Sequence, residues 1–293
     1  MDRLESMSAF VAVATAGSFS AASRELRMPL PTVSRKVSDL EAHLKAKLFV
    51  RSTRKLTLTD TGQSYLLACR RVLEEVAEAE RSANGQYNTP QGELVMTAPI
   101  VFGRLHVLPV VTEFLKAHPQ VDVRLVLADR ALSFMDDHLD LAVRIGALRD
   151  SSLIATQVGR IRNVVCASPA YLKEHGTPRT PADLTAAACV TFAGLGEANL
   201  WHFKDGPPIR VHSRLEINTA ESAIEGAIAG LGFTRVLSYQ AAEAIAAGKL
   251  VAVLKKFEPE PIPVSLIYVQ ERRITAKLRA FLDFATPRLR ERL

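Results

Sequence analysis

The stretch from residue 31 to residue 44 places apolar and polar side chains on opposite faces of a predicted α-helix. Its apolar stripe recurs at spacings of four, three and four residues and consists of Val33, Val37, Leu40 and Leu44. The opposite face carries hydroxyl groups and cations, namely Thr32, Arg35, Lys36 and Ser38. Guanidinium and hydroxyl groups hydrogen-bond to base edges and phosphate oxygens, so this face has the chemistry to read the major groove of double-stranded DNA.

Two shorter helical patterns precede this face and would position it. The first contains Phe10, Val11 and Ala14 and ends at Gly17, because glycine tolerates the left-handed conformation that terminates helices. The second lies within residues 18–26, where a serine can cap the helix and alanines permit a close helix crossing. The order of the three helices predicts a helix-turn-helix whose third helix is the reader.

A basic ribbon follows the reader. Residues 48–59 alternate apolar and polar side chains, which predicts two short strands, and the bend between them carries Arg51, Arg54 and Lys55. We expect this wing to grip phosphate groups. Over residues 24–55, nine basic residues oppose three acidic ones; the resulting charge of +6 equals that of the whole chain, so the positive excess is local.

A long helical pattern from Gln63 to about Gln86 has an apolar seam but no evident cover in a small domain. We predict that it is a dimerisation helix whose seam contains Leu66, Cys69, Leu73 and Val76. The alternative is that the helix packs on its own winged domain. Residues 87–92, with Pro90 and Gly92, predict a hinge.

Strand and helix patterns alternate beyond the hinge. Alternating residues at 121–127 and 139–145 predict strands, and a helix is expected from about Phe102 to Ala117. A second lobe is expected from about residue 164, with strands and helices up to a returning strand at 263–269 and a basic amphipathic helix from Ala276. This order predicts an α/β fold with parallel sheets in two lobes.

Long runs of the chain resemble one family. The run AGSFSAASREL, followed by VSRKVSDLEAHLKAKLFVRSTRKLTLTDTG, closely resembles the winged helix-turn-helix of LysR-type transcriptional regulators. The segments GELVMTAP, DLAVRIG and VVCASPAYL resemble the effector-binding half of the same family. The chain departs from the family pattern at Pro29 and Leu30, where members often carry a polar cap and a glutamine, so base preference does not carry over.

The resemblance implies three parts. They are a winged helix-turn-helix domain at 1–62, a linker helix and hinge at 63–90, and a two-lobed α/β domain at 91–293 that is similar to periplasmic binding proteins. Lobe I would span about 91–162 and 264–293, and lobe II about 163–263. The resemblance also implies dimers that pair through the linker helices, tetramers of such dimers, and an effector that changes how the assembly holds promoter DNA.

Ligands of open α/β sheets lie beyond the carboxyl ends of the strands, and the family resemblance places the effector at the corresponding loops. We therefore predict effector contacts from Thr97, Pro99, Ile100, Val101, Arg144, Gly146, Asn218 and Thr219. The loop at 97–101 opens a helix whose free N–H groups could hold an anion, and Arg144 could supply a counter-charge. Alternatively, Arg144 pairs with Asp140 or Asp129, and the ligand is neutral or aromatic. Trp201 could close the effector pocket, although we favour the alternative that it covers the edge of its lobe.

Composition and residue spacing limit which other classes of function are expected. With 48% hydrophobic residues the chain can bury real cores, and it has neither a run of about 18 uncharged apolar residues nor a basic-then-apolar leader. These features predict a soluble, cytoplasmic protein that does not bind membranes. Three widely separated cysteines are expected to be reduced, with a redox role for Cys69 as the alternative. The seven histidines lack metal-ligand spacing, so no metal, no cofactor and no enzyme activity are expected.

The leading hypothesis is a sequence-specific transcriptional regulator whose promoter binding responds to a small organic effector. Its partners would be promoter DNA, the effector, further copies of the chain and RNA polymerase. The rivals are a constitutive DNA-binding protein without a ligand and a secreted solute-binding protein, which the N-terminal reader disfavours. The predicted DNA contacts are Ser20, Pro31, Thr32, Ser34, Arg35, Lys36, Ser38, Arg51, Arg54 and Lys55.

Overall fold

The computed structural model describes residues 2–51, 56–83, 89–130, 132–134, 137–147, 153–193, 197–269 and 274–293. Its contacts divide the chain into two units, Met1–Thr89 and Pro90–Leu293. Each unit is described by itself below.

Within its described residues, the first unit contains four helices and a two-stranded sheet. The helices are α1 (Arg3–Ala16), α2 (Phe19–Glu25), α3 (Leu30–Leu44) and α4 (Asp60–Ala83), and the strands are β1 (Phe49–Arg51) and β2 (Leu56–Leu58). As predicted, α1 ends at Gly17, which has a φ of 67°, and the Ser18 hydroxyl caps α2 by accepting from the Ala21 N–H. The local signals therefore fix both ends of the first turn.

One apolar cluster holds this unit together. The predicted stripe residues Val33, Val37 and Leu40 are buried against Phe10 of α1, while Leu48 closes the cluster beside β1. The reader is thus held by its apolar face, which leaves its other side to solvent.

The described residues of the second unit form two five-stranded sheets and a small hairpin. Its strands are β3 (Gly92–Ala98), β4 (Val121–Leu127), β5 (Leu141–Ile145), β6 (Leu153–Ile161), β7 (Asn163–Ala167), β8 (Ala188–Phe192), β9 (Leu200–Trp201), β10 (Ile209–Arg210), β11 (His212–Ile217), β12 (Phe233–Leu237), β13 (Val251–Val253) and β14 (Ile262–Val269). Its α-helices are α5 (Ile100–Phe102), α6 (Leu108–Ala117), α7 (Pro169–His175), α8 (Ala220–Ile228), α9 (Ser238–Ala246) and α10 (Ala276–Arg292). One π-helical turn, Gly103–Val107, joins α5 to α6, and 3₁₀ turns occur at Pro181–Thr185 and Lys255–Phe257.

The two sheets define two lobes. Lobe I has the strand order β4-β3-β5-β14-β6 and lobe II the order β11-β8-β12-β7-β13. The chain crosses from lobe I to lobe II between β6 and β7 and returns before β14. Because the returning strand β14 completes the lobe I sheet, two crossover segments join the lobes.

The expectation of parallel sheets was wrong in part. Strands β3, β4 and β5 are parallel, but β14 pairs antiparallel with β5 and β6, and β12 pairs antiparallel with β7. The sheet of lobe I is mixed because the returning strand β14 runs opposite to β5 and β6, and that of lobe II is mixed because its first strand, β7, runs opposite to β12 and β13. Sequence patterns did not reveal β6, β8, β9, β10, β12 or β13.

Among the described residues, no single helix is long and apolar enough to cross a membrane. The helices α1 and α2 meet the length and hydropathy criteria only as a pair, with a bend of 118° between them.

Candidate DNA-reading surface and effector site

The reading helix presents its polar side as the stripe predicts. Arg35 and Ser38 are exposed, and among the described residues no carboxylate lies within ion-pair distance of Arg35. The helix begins after Pro29 without a side-chain cap, and Leu30 is exposed beside it. The guanidinium of Arg35 is thus available to an acceptor outside the domain.

The other predicted DNA contacts on the described helices differ in availability. Ser20 and Pro31 are exposed, whereas Thr32 and Ser34 are half-buried. The ammonium group of Lys36 forms a salt bridge with Glu5 of α1, so part of its charge is already compensated inside the domain. A phosphate would have to compete with Glu5 for Lys36.

Glu41, which sequence analysis overlooked, ties the reader to the wing. Its Oε1 accepts from the backbone N–H groups of Leu48 (2.9 Å) and Phe49 (3.3 Å), and its Oε2 accepts from Lys47 Nζ (2.9 Å). Burial raises the pKa of this carboxyl, but these hydrogen bonds outweigh burial and hold the pKa below its ordinary value. The sequence signal that could have identified Glu41 was an acidic residue at helical spacing from the apolar stripe, where burial is expected.

The wing begins as an antiparallel pair. Phe49 lies opposite Leu58 and Arg51 opposite Leu56, in agreement with the predicted two strands. The bend, including the predicted phosphate contacts Arg54 and Lys55, lies outside the described residues, and only the backbone of Arg51 is described.

The apolar seam of α4 lies in two different environments along the helix. Cys69 is only 1% exposed and lies in the core of its own winged domain, with Leu66 packed against the same cluster. The placement of Cys69 in a dimer seam was therefore wrong, because the helix rests on its own domain at this level. Leu73 and Val76 are half-buried farther along, beside the exposed Val72.

The environment of Cys69 also bears on its redox alternative. Burial raises the pKa of the thiol to about 11, and the neighbouring Tyr65 hydroxyl offsets this only in part. A thiol with such a pKa is protonated at neutral pH and reacts slowly with oxidants, which disfavours a redox switch.

In lobe I, other groups of the protein already form hydrogen bonds with part of the predicted effector loop. Thr97 is buried, and its hydroxyl donates to the Val126 carbonyl at 2.8 Å. The N–H of Ile100, at the start of α5, donates to Asp129 Oδ1 at 3.0 Å. A carboxylate of the chain thus occupies one donor of the helix terminus that was expected to hold an anion.

Arg144 is exposed on β5 and forms no ion pair with Asp140 or Asp129. Asp129 accepts from Ile100, and Asp140 Oδ2 accepts from the Val95 N–H at 2.8 Å. Both aspartates accept from backbone N–H groups, and within the described residues neither forms an ion pair with Arg144. Gly146 follows with a φ of 121°, which favours glycine at this turn.

In lobe II, Thr219 caps α8 and Asn218 is exposed beside it. The Thr219 hydroxyl donates to Ser222 Oγ at 2.8 Å and accepts from the Ser222 N–H at 3.4 Å. One charged contact links the lobes nearby, with Arg104 Nη2 at 3.9 Å from Glu221 Oε1. The predicted loops therefore lie on both lobes near their junction.

Trp201 covers the edge of lobe II, as favoured from the sequence. It is 1% exposed, packs in the cluster that contains Phe233 and Tyr171, and donates from Nε1 to the Ala198 carbonyl at 3.0 Å. Phe192 lies in the core on the other face of the sheet. Among the described residues, no group of three or more histidine, cysteine or acidic residues could hold a metal ion.

Two family models match the chain. Residues 4–63 match the bacterial regulatory helix-turn-helix of the lysR family, and residues 88–290 match the LysR substrate binding domain. The chain belongs to the LysR family of transcriptional regulators. The fold class predicted from the sequence is thereby confirmed, with a helix-turn-helix unit followed by a mixed α/β ligand-binding domain.

Individual LysR-type relatives resemble the chain over nearly its full length. The probable regulator LtrA of Klebsiella pneumoniae is 33% identical over 97% of this chain and 94% of its own length. The transcriptional activator AaeR of Escherichia coli is 32% identical over 98% of this chain and 94% of its own. The structure of CrgA from Neisseria meningitidis, 31% identical, superposes with a TM-score of 0.62 and covers 97% of this chain and 98% of that one. All three relatives are described as transcriptional regulators.

Proposed function

We propose that this LysR-type chain is a sequence-specific regulator whose promoter binding is modulated by a small organic effector bound between its lobes. The observation that carries the DNA half is the exposed Arg35 on the polar face of α3, which has no ion-pairing carboxylate among the described residues. We assign base contacts to Arg35 and Thr32, since the N-terminal part of a reading helix meets base edges. Ser34, Ser38 and the wing cations position phosphates.

The second half of the proposal concerns the effector. Because Asp129 already engages the Ile100 N–H, an anionic group of the ligand would meet Arg144 rather than the start of α5. A ligand that also approaches Asp129 has to carry a donor there. The proposed effector is therefore a small carboxylate with at least one hydrogen-bond donor.

Self-association is the third part. We propose that dimers form through the part of α4 that includes Leu73, Val76 and the exposed Val72. Two-fold pairing would place DNA half-sites about 34–36 Å apart or at multiples of that spacing. Sedimentation of a 1–90 fragment, with and without Leu73→Glu and Val76→Glu, tests this part; a monomeric parent fragment contradicts it.

Footprinting on the cognate promoter tests the DNA half. Arg35→Ala should lower specific affinity by about 1–3 kcal/mol and keep salt-sensitive binding. Arg54→Ala with Lys55→Ala should weaken binding to all sequences, because each neutralised phosphate contributes about 0.9 to the salt slope. Lys173→Ala, an exposed cation of α7, is the matched control. An unchanged Arg35→Ala footprint overturns the role of Arg35.

The competing function is a constitutive DNA-binding protein whose lobes serve assembly only. One observation favours it, since Asp129 of the chain itself accepts from the Ile100 N–H at the start of α5. A metabolite panel in the same footprinting assay separates the two. Effector-dependent protection that is lost in Arg144→Met and Thr219→Ala supports the regulator, and protection independent of every metabolite supports the rival.

A further inference from the structure

Three consecutive apolar residues are exposed where the reading helix begins. Pro29, Leu30 and Pro31 all lie on the surface, and Leu30 is 42% exposed. Single exposed apolar residues are common on proteins, but a run of them at the leading end of a reading helix indicates a contact surface. We call this run the apolar tip. It includes the two positions at which the chain departs from the family pattern.

The backbone of the apolar tip offers few hydrogen-bond donors. Pro31 has no N–H, and the N–H groups of Thr32 (2.9 Å) and Val33 (3.1 Å) both donate to the Pro29 carbonyl. No side chain caps the helix, so within the described residues only the Leu30 N–H of this first turn has no acceptor. A phosphate that needs several donors is therefore poorly matched to the tip, whereas an apolar group of DNA is well matched.

The turn before the apolar tip holds it in a fixed direction. The Ser23 hydroxyl of α2 donates to the Met28 carbonyl at 2.6 Å, and the Met28 N–H donates to the Ser23 carbonyl at 3.0 Å. Pro29 and Pro31 fix the backbone angle φ on both sides of Leu30. Because this backbone is already ordered, little conformational entropy is lost when Leu30 makes a contact.

Arg35 relates the apolar tip to the bases. It is exposed on the same helix, five positions after Leu30, which corresponds to about 7.5 Å along the helix axis. In helix-turn-helix proteins the N-terminal residues of the reading helix contact base edges in the major groove. Since base pairs are about 3.4 Å apart, a base that contacts Leu30 should lie about two to three base pairs from the base read by Arg35.

We propose that Leu30 is a specificity-determining residue that packs against the 5-methyl group of a thymine in the promoter. In the major groove, thymine presents a methyl group, whereas guanine, adenine and cytosine present only hydrogen-bond donors and acceptors. Any of these three bases opposite Leu30 would lose water from its polar atoms without gaining a hydrogen bond. The inference rests on the sequence-specific binding proposed above and adds one T·A pair to the site that Arg35 reads.

The test begins with in vitro selection, in which the full chain recovers its preferred sites from a pool of random DNA duplexes. Each thymine of a selected duplex is then replaced in turn by uracil, which forms the same base pair but lacks the 5-methyl group. We expect one such replacement to weaken binding about fourfold, which corresponds to about 0.8 kcal/mol for one buried methyl-sized group. Fluorescence anisotropy measures these affinities.

Variants of the chain assign the methyl contact to Leu30. Leu30→Ala should bind the thymine and uracil duplexes equally, because its methyl contact is already lost. Leu30→Gln should select adenine at this position, since a glutamine amide hydrogen-bonds to adenine N6 and N7. Leu231→Ala removes an exposed leucine of the two-lobed unit and, as the matched control, should keep the fourfold difference. The uracil replacements change only the DNA, so they test the contact even where a variant is unstable.

A parent chain that binds every uracil duplex as tightly as the thymine duplex overturns the proposal. A fourfold uracil effect that persists in Leu30→Ala also overturns it, because the methyl group then contacts another residue. Both outcomes leave the proposed function intact as long as Arg35→Ala loses affinity for the selected duplex. A full chain that selects no common sequence overturns sequence-specific binding, and this proposal with it.

Discussion

The DNA-reading unit and the two-lobed unit hold their functional residues in different ways. Thr32, Arg35 and Ser38 lie on one helix, within seven residues of one another, and the buried stripe of that helix fixes their direction. Thr97, Arg144 and Thr219 lie on separate elements of two lobes, so only folding could bring them to one site. The first surface depends on one small core, whereas the second depends on sheet pairing and on the lobe junction. A substitution that destabilises one of these cores should therefore leave the stability of the other unit unchanged.

The largest effect is expected from Trp201→Ala. Removal of a fully buried aromatic side chain should destabilise the two-lobed unit by about 3–5 kcal/mol. Urea denaturation of the full chain, followed by circular dichroism, should show an earlier transition for this unit and an unchanged one for the winged domain. Trp201→Phe, which keeps most of the packing, should lose less. Unchanged stability with weakened ligand binding would instead identify Trp201 as a pocket lid.

A somewhat smaller effect is expected from Gly62→Ala in the other unit. A Cβ at position 62 would lie 2.0 Å from the Leu48 carbonyl oxygen, so the backbone between wing and α4 has to shift. We expect a loss of about 2–3 kcal/mol from the winged domain. The control is Gly17→Ala, where a Cβ meets open space and only the φ of 67° is unfavourable, at about 1–2 kcal/mol. Equal losses for the two variants contradict the steric explanation.

Glu41→Gln should reduce the stability of the winged domain by about 1–2 kcal/mol at neutral pH, because the charged acceptor of three hydrogen bonds is lost. The folded-state pKa of Glu41 lies below its ordinary value of 4.5. Its contribution is therefore complete above pH 4.5 and is lost as the pH falls through the folded-state pKa. The difference between parent and variant in urea denaturation should shrink over that acidic range. A difference that persists at low pH argues for packing rather than charge.

The smallest effect is expected at Cys69. Since its thiol is buried and its pKa is about 11, peroxide should leave DNA affinity unchanged, and Cys69→Ala should bind DNA like the parent. Electrophoretic mobility shift with and without peroxide measures this. An oxidant-dependent loss that disappears in Cys69→Ala restores the redox alternative.

The sequence by itself determined the local elements and the family. The cap at Ser18, the stop at Gly17 and the stripe at Val33, Val37 and Leu40 act between residues a few positions apart, so their outcome can be deduced from the residues. The motifs of the winged domain are likewise contiguous in the sequence. The family matches confirm the resemblance to LysR-type regulators that these motifs carry. The exact domain boundaries and the individual contact residues stay predictions.

Only the tertiary structure decided which partners these residues meet. Lys36 faces away from the apolar stripe, yet it forms a salt bridge with Glu5, which lies 31 positions earlier. Cys69 follows a heptad seam, yet its own domain covers it; Asp129, rather than an incoming anion, meets the Ile100 N–H. His106, Arg160 and Arg292 are far apart in the sequence, yet they line one cleft where the two lobes meet. Each of these outcomes depends on contacts between distant segments, and helical or strand periodicity specifies which face a residue occupies but not what packs against that face.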